Sequence, residues 1–204
     1  MVKYGLLMDS TRCIGCRSCV ASCIVENFCQ PKNPWIFVIE REIGAYPNVS
    51  RNFTPMNCMH CENPPCKKVC DNIQVNAITK NEYGIVLVDY DKCIGCKYCI
   101  AACPYGAMQF ISELKTLYLE DSTPYETIKT ENKHLVHRKK ANTVEKCTLC
   151  WHRLEKAIEN GMKPGDDQES TPACVVNCPV KARFFGDLDD PNSEISKLIS
   201  KKRA

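Results

Sequence analysis

An α+β fold in two small modules, each built on cysteine side chains more than on an ordinary apolar core, is what this 204-residue chain predicts. Three observations predict it. First, sixteen of the 17 cysteines fall into four tetrads: Cys13, Cys16, Cys19 and Cys23; Cys58, Cys61, Cys66 and Cys70; Cys93, Cys96, Cys99 and Cys103; Cys147, Cys150, Cys174 and Cys178. Second, residues 8–23, MDSTRCIGCRSCVASC, align without gaps on residues 88–103, VDYDKCIGCKYCIAAC, matching Asp9, Ile14, Gly15 and Ala21 to Asp89, Ile94, Gly95 and Ala101. Third, the apolar fraction of 44% counts the cysteines, and without them about 36% of residues remain for a core. Bound metal must supply much of the folding energy.

The spacing names the metal. In every tetrad three residues separate the last two cysteines, and tetrads one and three have the full run C-x2-C-x2-C-x3-C, with Pro104 following the third. This is the ligand run of bacterial [4Fe-4S] ferredoxins. The tight loop turns three thiolates onto one cube, and the cysteine four positions on points away to a neighbouring cube. Clusters therefore come in pairs, and sixteen ligands make two ferredoxin-like double-[4Fe-4S] modules, a duplicated ferredoxin fold with loop insertions. Tetrads two and three span only residues 58–103, so nested pairing is expected. An inner module covers residues 51–103, and an outer module covers 1–50 and 104–204 with residues 111–146 as an insertion. Sequential pairing, one with two and three with four, is the alternative.

Taken in order, the elements serve these loops. The start, MVKYGLLMDSTRC, runs almost directly into the first cysteine loop and carries no secretory or twin-arginine signal. Gly15 and Gly95 suit backbone that turns sharply beside sulfur, and Ile14 and Ile94 are expected to cover the cubes. Residues 83–88, YGIVLV, read as a short buried strand feeding the third loop. Residues 111–146, long and free of cysteine, read as a surface insertion. Residues 149–160 read as a helix with Leu149, Leu154, Ala157 and Ile158 on one face and Gly161 as its stop. Residues 162–172, MKPGDDQESTP, read as a loop, and Ile195, Leu198 and Ile199 mark a short amphipathic helix at the end.

Other function classes fit poorly. A formal charge of +3 counts thiols as neutral; with sixteen thiolates and four cubes of core charge about 2+, the loaded chain carries roughly −5. Nucleic-acid binding gains nothing from that, and the lysines are scattered. Disulfide scaffolds and zinc staples do not carry repeated three-cysteine loops with a displaced fourth. No apolar run spans a membrane. No nucleophile–base motif, phosphate loop, dinucleotide fingerprint or haem motif appears, so no catalytic site is expected on this chain.

The blocks MNCMHCENPPCKKVC, VDYDKCIGCKYCIAACPYGA, KCTLCWHRLEKA and PACVVNCPVKARFFGDLDDP together resemble the four-cluster iron-sulfur subunit of the dimethyl-sulfoxide-reductase superfamily of molybdopterin oxidoreductases. IEREIGAYPN, residues 39–48, is similar to the subunits of polysulfide and thiosulfate reductases in particular. The resemblance implies an electron-transfer subunit in anaerobic respiration. It would stand between a large catalytic subunit holding a molybdenum or tungsten bis-pterin cofactor and a quinone-handling membrane anchor or other redox partner. A free-standing polyferredoxin, or an iron-sulfur subunit of a formate dehydrogenase or hydrogenase, is the alternative. The resemblance also implies the ligand sets. Cys13, Cys16, Cys19 and Cys178 hold the cluster nearest the catalytic subunit; Cys23, Cys147, Cys150 and Cys174 the next. Cys58, Cys61, Cys66 and Cys103 hold the third, and Cys70, Cys93, Cys96 and Cys99 the last. All four are expected to be [4Fe-4S], since Cys96 is present where some relatives replace it. Without a targeting signal of its own, the chain is expected in the cytoplasm, or peripheral at the membrane and co-exported with its catalytic partner. Two departures stand out: Asp71 replaces the proline usual after Cys70, and the 111–146 segment is longer than the hairpin typical there.

Among the residues outside the tetrads, Cys29 reads as a buried, idle thiol. His60 and His152, beside cysteines, are candidates to donate to sulfur or to pack. His134 and His137 are expected in solvent, and Trp35 and Trp151 in the core.

Overall fold

The computed structural model describes residues 2–30, 32–114 and 130–203. Its described strands form only two-stranded antiparallel sheets. In chain order the elements are β1 (Tyr4–Met8), α1 (Ser18–Asn27), β2 (Phe37–Ala45), β3 (Asn48–Met56), α2 (Pro65–Asn72), β4 (Ile78–Lys80), β5 (Val86–Val88) and α3 (Tyr98–Ala102). They continue with β6 (Gln109–Ile111), β7 (Thr143–Glu145), α4 (Trp151–Glu159), α5 (Ala173–Val176), β8 (Arg183–Asp187) and α6 (Glu194–Arg203).

Strands close to the two ends of the chain meet: β1 pairs with β8, from Tyr4 opposite Asp187 to Met8 opposite Arg183. Between them β4 pairs with β5, Ile78 opposite Val88. α1 packs on α5, and α2 on α3. Two apolar cores result. One gathers Cys19, Cys23, Cys147 and Cys174 around Trp35, Ile85 and Leu154, and the other gathers Cys66, Cys70 and Cys99 around Ile78, Val86 and Val144.

The internal repeat has a structural cause. Asp9 accepts the Thr11 N–H at 3.1 Å, and its counterpart Asp89 accepts the Asp91 N–H at 2.9 Å, so the same side-chain turn opens both cysteine loops. The expected strand at residues 83–88 is shorter than its apolar run. Asn81 Oδ1 accepts the N–H groups of Tyr83 and Ile85, and Gly84 turns at φ 82°, so pairing begins only at Val86. The helix expected at 149–160 spans Trp151–Glu159 and buries Leu154 and Ala157, with Gly161 at φ 68° just beyond. At the C-terminus the Ser196 N–H is capped by Ser193 Oγ at 3.2 Å, and Ile195 is buried against Gly186 of β8.

Two expectations are corrected. The 111–146 segment is not a surface insertion at its ends. Residues 115–129 lie outside the described residues, but β6 pairs with β7, Ile111 opposite Thr143, and Val136, His137, Val144, Glu145 and Lys146 are buried. Lys139 is buried on Glu145 and Lys146 on two backbone carbonyls, a pairing that polarity read along the sequence does not reveal. The second correction is an element the sequence reading missed: β2 and β3 form a hairpin of two nine-residue strands, Phe37 opposite Met56, mostly exposed on both faces.

Candidate metal centres

Four C-x2-C loops turn the same way. The residue before the second cysteine is left-handed in each: Gly15 at φ 69°, His60 at 44°, Gly95 at 67° and Leu149 at 53°. In the two glycine loops the next non-cysteine residue is left-handed as well, Arg17 at φ 59° and Lys97 at 65°. For His60 and Leu149 the conformation costs about 1–2 kcal/mol, which signals that the loop shape itself is required. A Cβ on Gly95 would run into the Asn142 carbonyl, so that position also needs glycine for space. The turns aim backbone at sulfur. Cys70 Sγ accepts the Ala77 N–H at 3.3 Å, Cys147 Sγ the Leu149 N–H at 3.4 Å, and Cys178 Sγ the Ala182 N–H at 3.2 Å.

Three cavities lie inside these loops, each with about 340 Å³ of space between atoms, part of it open to solvent. One is lined by Cys13, Cys16, Cys19 and Cys178. A second is lined by Cys58, Cys61, Cys66 and Cys103, and a third by Cys70, Cys93, Cys96 and Cys99. In each, three cysteines come from one tetrad and the fourth from another. The remaining four, Cys23, Cys147, Cys150 and Cys174, are buried and interact with one another electrostatically. Ile14 and Ile94 line the first and third cavities but stay largely exposed, at 58% and 66%, so they shield the cavity mouths less than expected.

The donors suit iron-sulfur cubes. All 17 cysteines are free thiols. Among the described residues no three His, Cys, Asp or Glu side chains converge as a single ion requires, whereas a cube gives each thiolate its own iron. Burial and neighbouring thiols push Cys99 and Cys147 up to about 12, and Cys150 higher. Thiols packed in this way ionise only against a strong local cation, which is what coordinated iron supplies.

Buried cations stand among these sets. Lys146, at 1% exposure, donates its Nζ to the carbonyls of Val86 and, at 2.9 Å, Cys147. Arg183, at 3%, donates Nη2 to Asn57 Oδ1 at 2.7 Å. Sequence reading missed both, since nothing in their local sequence signals burial.

The candidates outside the tetrads divide. Cys29 is fully buried, its Sγ 3.8 Å from the Cys23 carbonyl oxygen. Trp35 and Trp151 are core residues, donating to Glu145 and Glu155, both at 3.1 Å. His60 accepts the Val86 N–H on Nδ1 at 3.0 Å and so caps β5. His137 is buried, contrary to expectation, its ring centre 4.3 Å from that of His152 and tilted against it, with His134 half-buried on Glu155. His152 pairs with Glu26 at 2.7 Å, and Arg153 grips both oxygens of that carboxylate at 2.6 Å.

This clamp ties α1 to α4. Burial raises the Glu26 carboxyl, but the His152 and Arg153 hydrogen bonds outweigh it and hold it at about 2, below its ordinary 4.5. A lowered acid stabilises the fold above its unfolded pKa and loses that contribution as pH falls through about 2. Glu26→Gln is therefore expected to cost about 2 kcal/mol, equally at pH 5.5 and 8. Thermal midpoints compared at both pH values check this, and equal midpoints for variant and wild type would refute it.

Comparison with known proteins gives two matches to a 4Fe-4S dicluster domain, over residues 49–117 and 85–179. The first span holds tetrads two and three, the second tetrads three and four. The expected fold class, α+β with two ferredoxin-like dicluster modules, is borne out. The chain is 40% identical to a selenate reductase subunit of Mesobacillus selenatarsenatis over 99% of its own length, spanning 66% of that protein, just under two thirds. It is 40% identical to a putative dimethyl sulfoxide reductase iron-sulfur subunit of Halobacterium salinarum, covering 98% of this chain and 72% of the relative. With the iron-sulfur subunit of arsenate respiratory reductase from a Shewanella species it shares 34% identity, covering 97% and 87%. Among the described residues no helix is long and apolar enough to cross a membrane.

Proposed function

Because the chain belongs to the family of iron-sulfur subunits of respiratory molybdopterin oxidoreductases, we propose that it relays single electrons for a separate catalytic subunit. In this reading its sixteen tetrad cysteines hold four [4Fe-4S] clusters. The observation that carries it is the composition of the three cavities: three cysteines of one tetrad and the fourth from its pairing partner, as cross-ligation requires. The same sets support the nested division, an outer module of residues 1–50 and 104–204 and an inner one of 51–103. The β1–β8 and β4–β5 pairings agree with it.

When bound, the clusters take up and release one electron each without breaking bonds to substrate. The chain's part is to supply four thiolates per cluster, N–H groups to sulfur, and charges that set each potential. It performs no catalysis of its own. The catalytic partner would carry molybdenum or tungsten on a bis-pterin cofactor, and the far end of the relay would meet a quinone-linked membrane subunit or another redox protein. Relatives named for selenate, dimethyl sulfoxide, arsenate and tetrathionate reductases all match nearly the whole of this chain, so in this reading the substrate is selected by the partner.

Native anaerobic purification with metal analysis and mass spectrometry tests the proposal. About sixteen irons per copy, with molybdenum or tungsten in a large second chain, is the expected result. Sixteen irons without a second chain would instead make it a free polyferredoxin. Zinc in place of iron would overturn the reading.

A further inference from the structure

Arg183 opens β8 beside the wall of the first cavity and is 3% exposed. Nη2 gives a hydrogen bond to Asn57 Oδ1 and the guanidinium also reaches the Cys174 thiol, while Nε and Nη1 are buried with no partner among the described residues. The groups acting most strongly on its charge are thiols, Cys174 first, then Cys19 and Cys147. Cys19 belongs to the first ligand set; Cys174 and Cys147 belong to the second. Asn57 is itself held in place, donating Nδ2 to the Cys58 carbonyl at 2.9 Å and towards Cys147 Sγ at 3.9 Å.

A lone buried charge is strongly disfavoured, and most buried groups escape by changing protonation. Arginine has no such escape, because its guanidinium keeps its proton throughout the accessible range. An anion must therefore face the two unpartnered donors. A cube with four thiolates carries about −2, and gains another negative charge on reduction.

Resting on the reading of the tetrads as cluster ligands, we propose that Arg183 is a potential-setting residue for the first two clusters. Its fixed positive charge stands between the cluster of Cys23, Cys147, Cys150 and Cys174 and that of Cys13, Cys16, Cys19 and Cys178. The reduced form of each cluster is the more negative, so a nearby cation stabilises it more than the oxidised form. Arg183 thus raises both potentials, and raises that of the second cluster more, because its guanidinium reaches the Cys174 thiol and is held on Asn57, whose Nδ2 is 3.9 Å from Cys147 Sγ. No proton moves, since the residue acts by charge and not by titration.

The test is reductive titration with dithionite, followed by electron paramagnetic resonance, on the full chain purified with its catalytic partner. Iron content comes first: about sixteen in the wild type secures the ligand reading independently of Arg183. R183Q is then expected to disfavour reduction of the second cluster at least tenfold, a midpoint about 59 mV lower for one electron. The first cluster should fall by less and the other two stay put. R183K, which keeps the charge, should hold the second cluster within tenfold of wild type. Unchanged midpoints in R183Q, or an R183K drop as large as that of R183Q, would overturn the proposal. If R183Q assembles less iron than wild type, N57D replaces it, setting a carboxylate against the guanidinium at the 2.7 Å contact. The same cluster must then fall, and wild-type midpoints in N57D would overturn the assignment.

Discussion

Stripping iron from the purified chain under anaerobic conditions is expected to unfold most of it, with loss of the helical far-ultraviolet signal and of any cooperative thermal transition. The described sheets are all two-stranded, and such pairs are marginal in water without a core beneath them. The described helices run from four to ten residues, too short to persist alone. What holds these pieces is the pair of apolar cores, and proposed ligands sit inside both: Cys19, Cys23, Cys147 and Cys174 in one, Cys66, Cys70 and Cys99 in the other. Structural metal sites contribute on the order of 10 kcal/mol each in small domains, and a whole domain is stable by only about 5–15 kcal/mol. Losing the four proposed clusters exceeds that margin. Circular dichroism before and after chelation, then after rebuilding with ferrous iron and sulfide, measures the effect. An iron-free chain that keeps its native spectrum and melts cooperatively would show that the protein, not the metal, carries the fold.

The cysteine pattern was readable because its spacing follows the ferredoxin rule, while the full ligand sets followed from the family resemblance. By that rule a cysteine four positions on points to a second cube, and three of the four expected sets coincide with the linings of three cavities. The turn at the third position of each loop was read only from Gly15 and Gly95. His60 and Leu149 take the same left-handed shape without glycine, a demand of the loop that composition hides. The stretch from Leu135 to Lys146 looked like solvent-exposed insertion because it is rich in lysine, histidine and arginine. Several of those polar groups are buried together: Lys139 on Glu145, Lys146 on two carbonyls, and His137 beside His152. Pairing among buried polar residues leaves no periodic trace, and Arg183 escaped notice for the same reason. The hairpin Phe37–Met56 was missed because little of it faces a core, so its alternation of side chains signals no buried face.

Lys139→Met is expected to destabilise the iron-loaded chain by about 3–5 kcal/mol, the loss typical of a buried ion pair broken on one side. Glu145 on β7 is fully buried, and its Oε2 accepts from Trp35 Nε1 at 3.1 Å and Lys139 Nζ at 2.9 Å. Its Oε1 has no hydrogen-bond partner among the described residues, and Lys139 is the cation paired with this carboxylate. That same ammonium donates to the Phe28 carbonyl at 2.9 Å, just past α1, and lies 4.7 Å from the centre of the Trp35 ring. It therefore joins the end of α1 to β7 through the middle of the larger core. Removing it leaves a carboxylate in a dry site with one neutral donor, and the midpoint of thermal unfolding should fall by about 6–20 °C. Lys139→Met combined with Glu145→Gln removes both charges and keeps the Trp35 hydrogen bond, so it should recover more than half of the loss. Differential scanning calorimetry of the three loaded proteins decides the matter. A single variant within about 2 °C of wild type would mean that water or a neighbouring group already compensates Glu145. A double variant no better than the single would mean that packing by the lysine stem, and not its charge, is what the core requires.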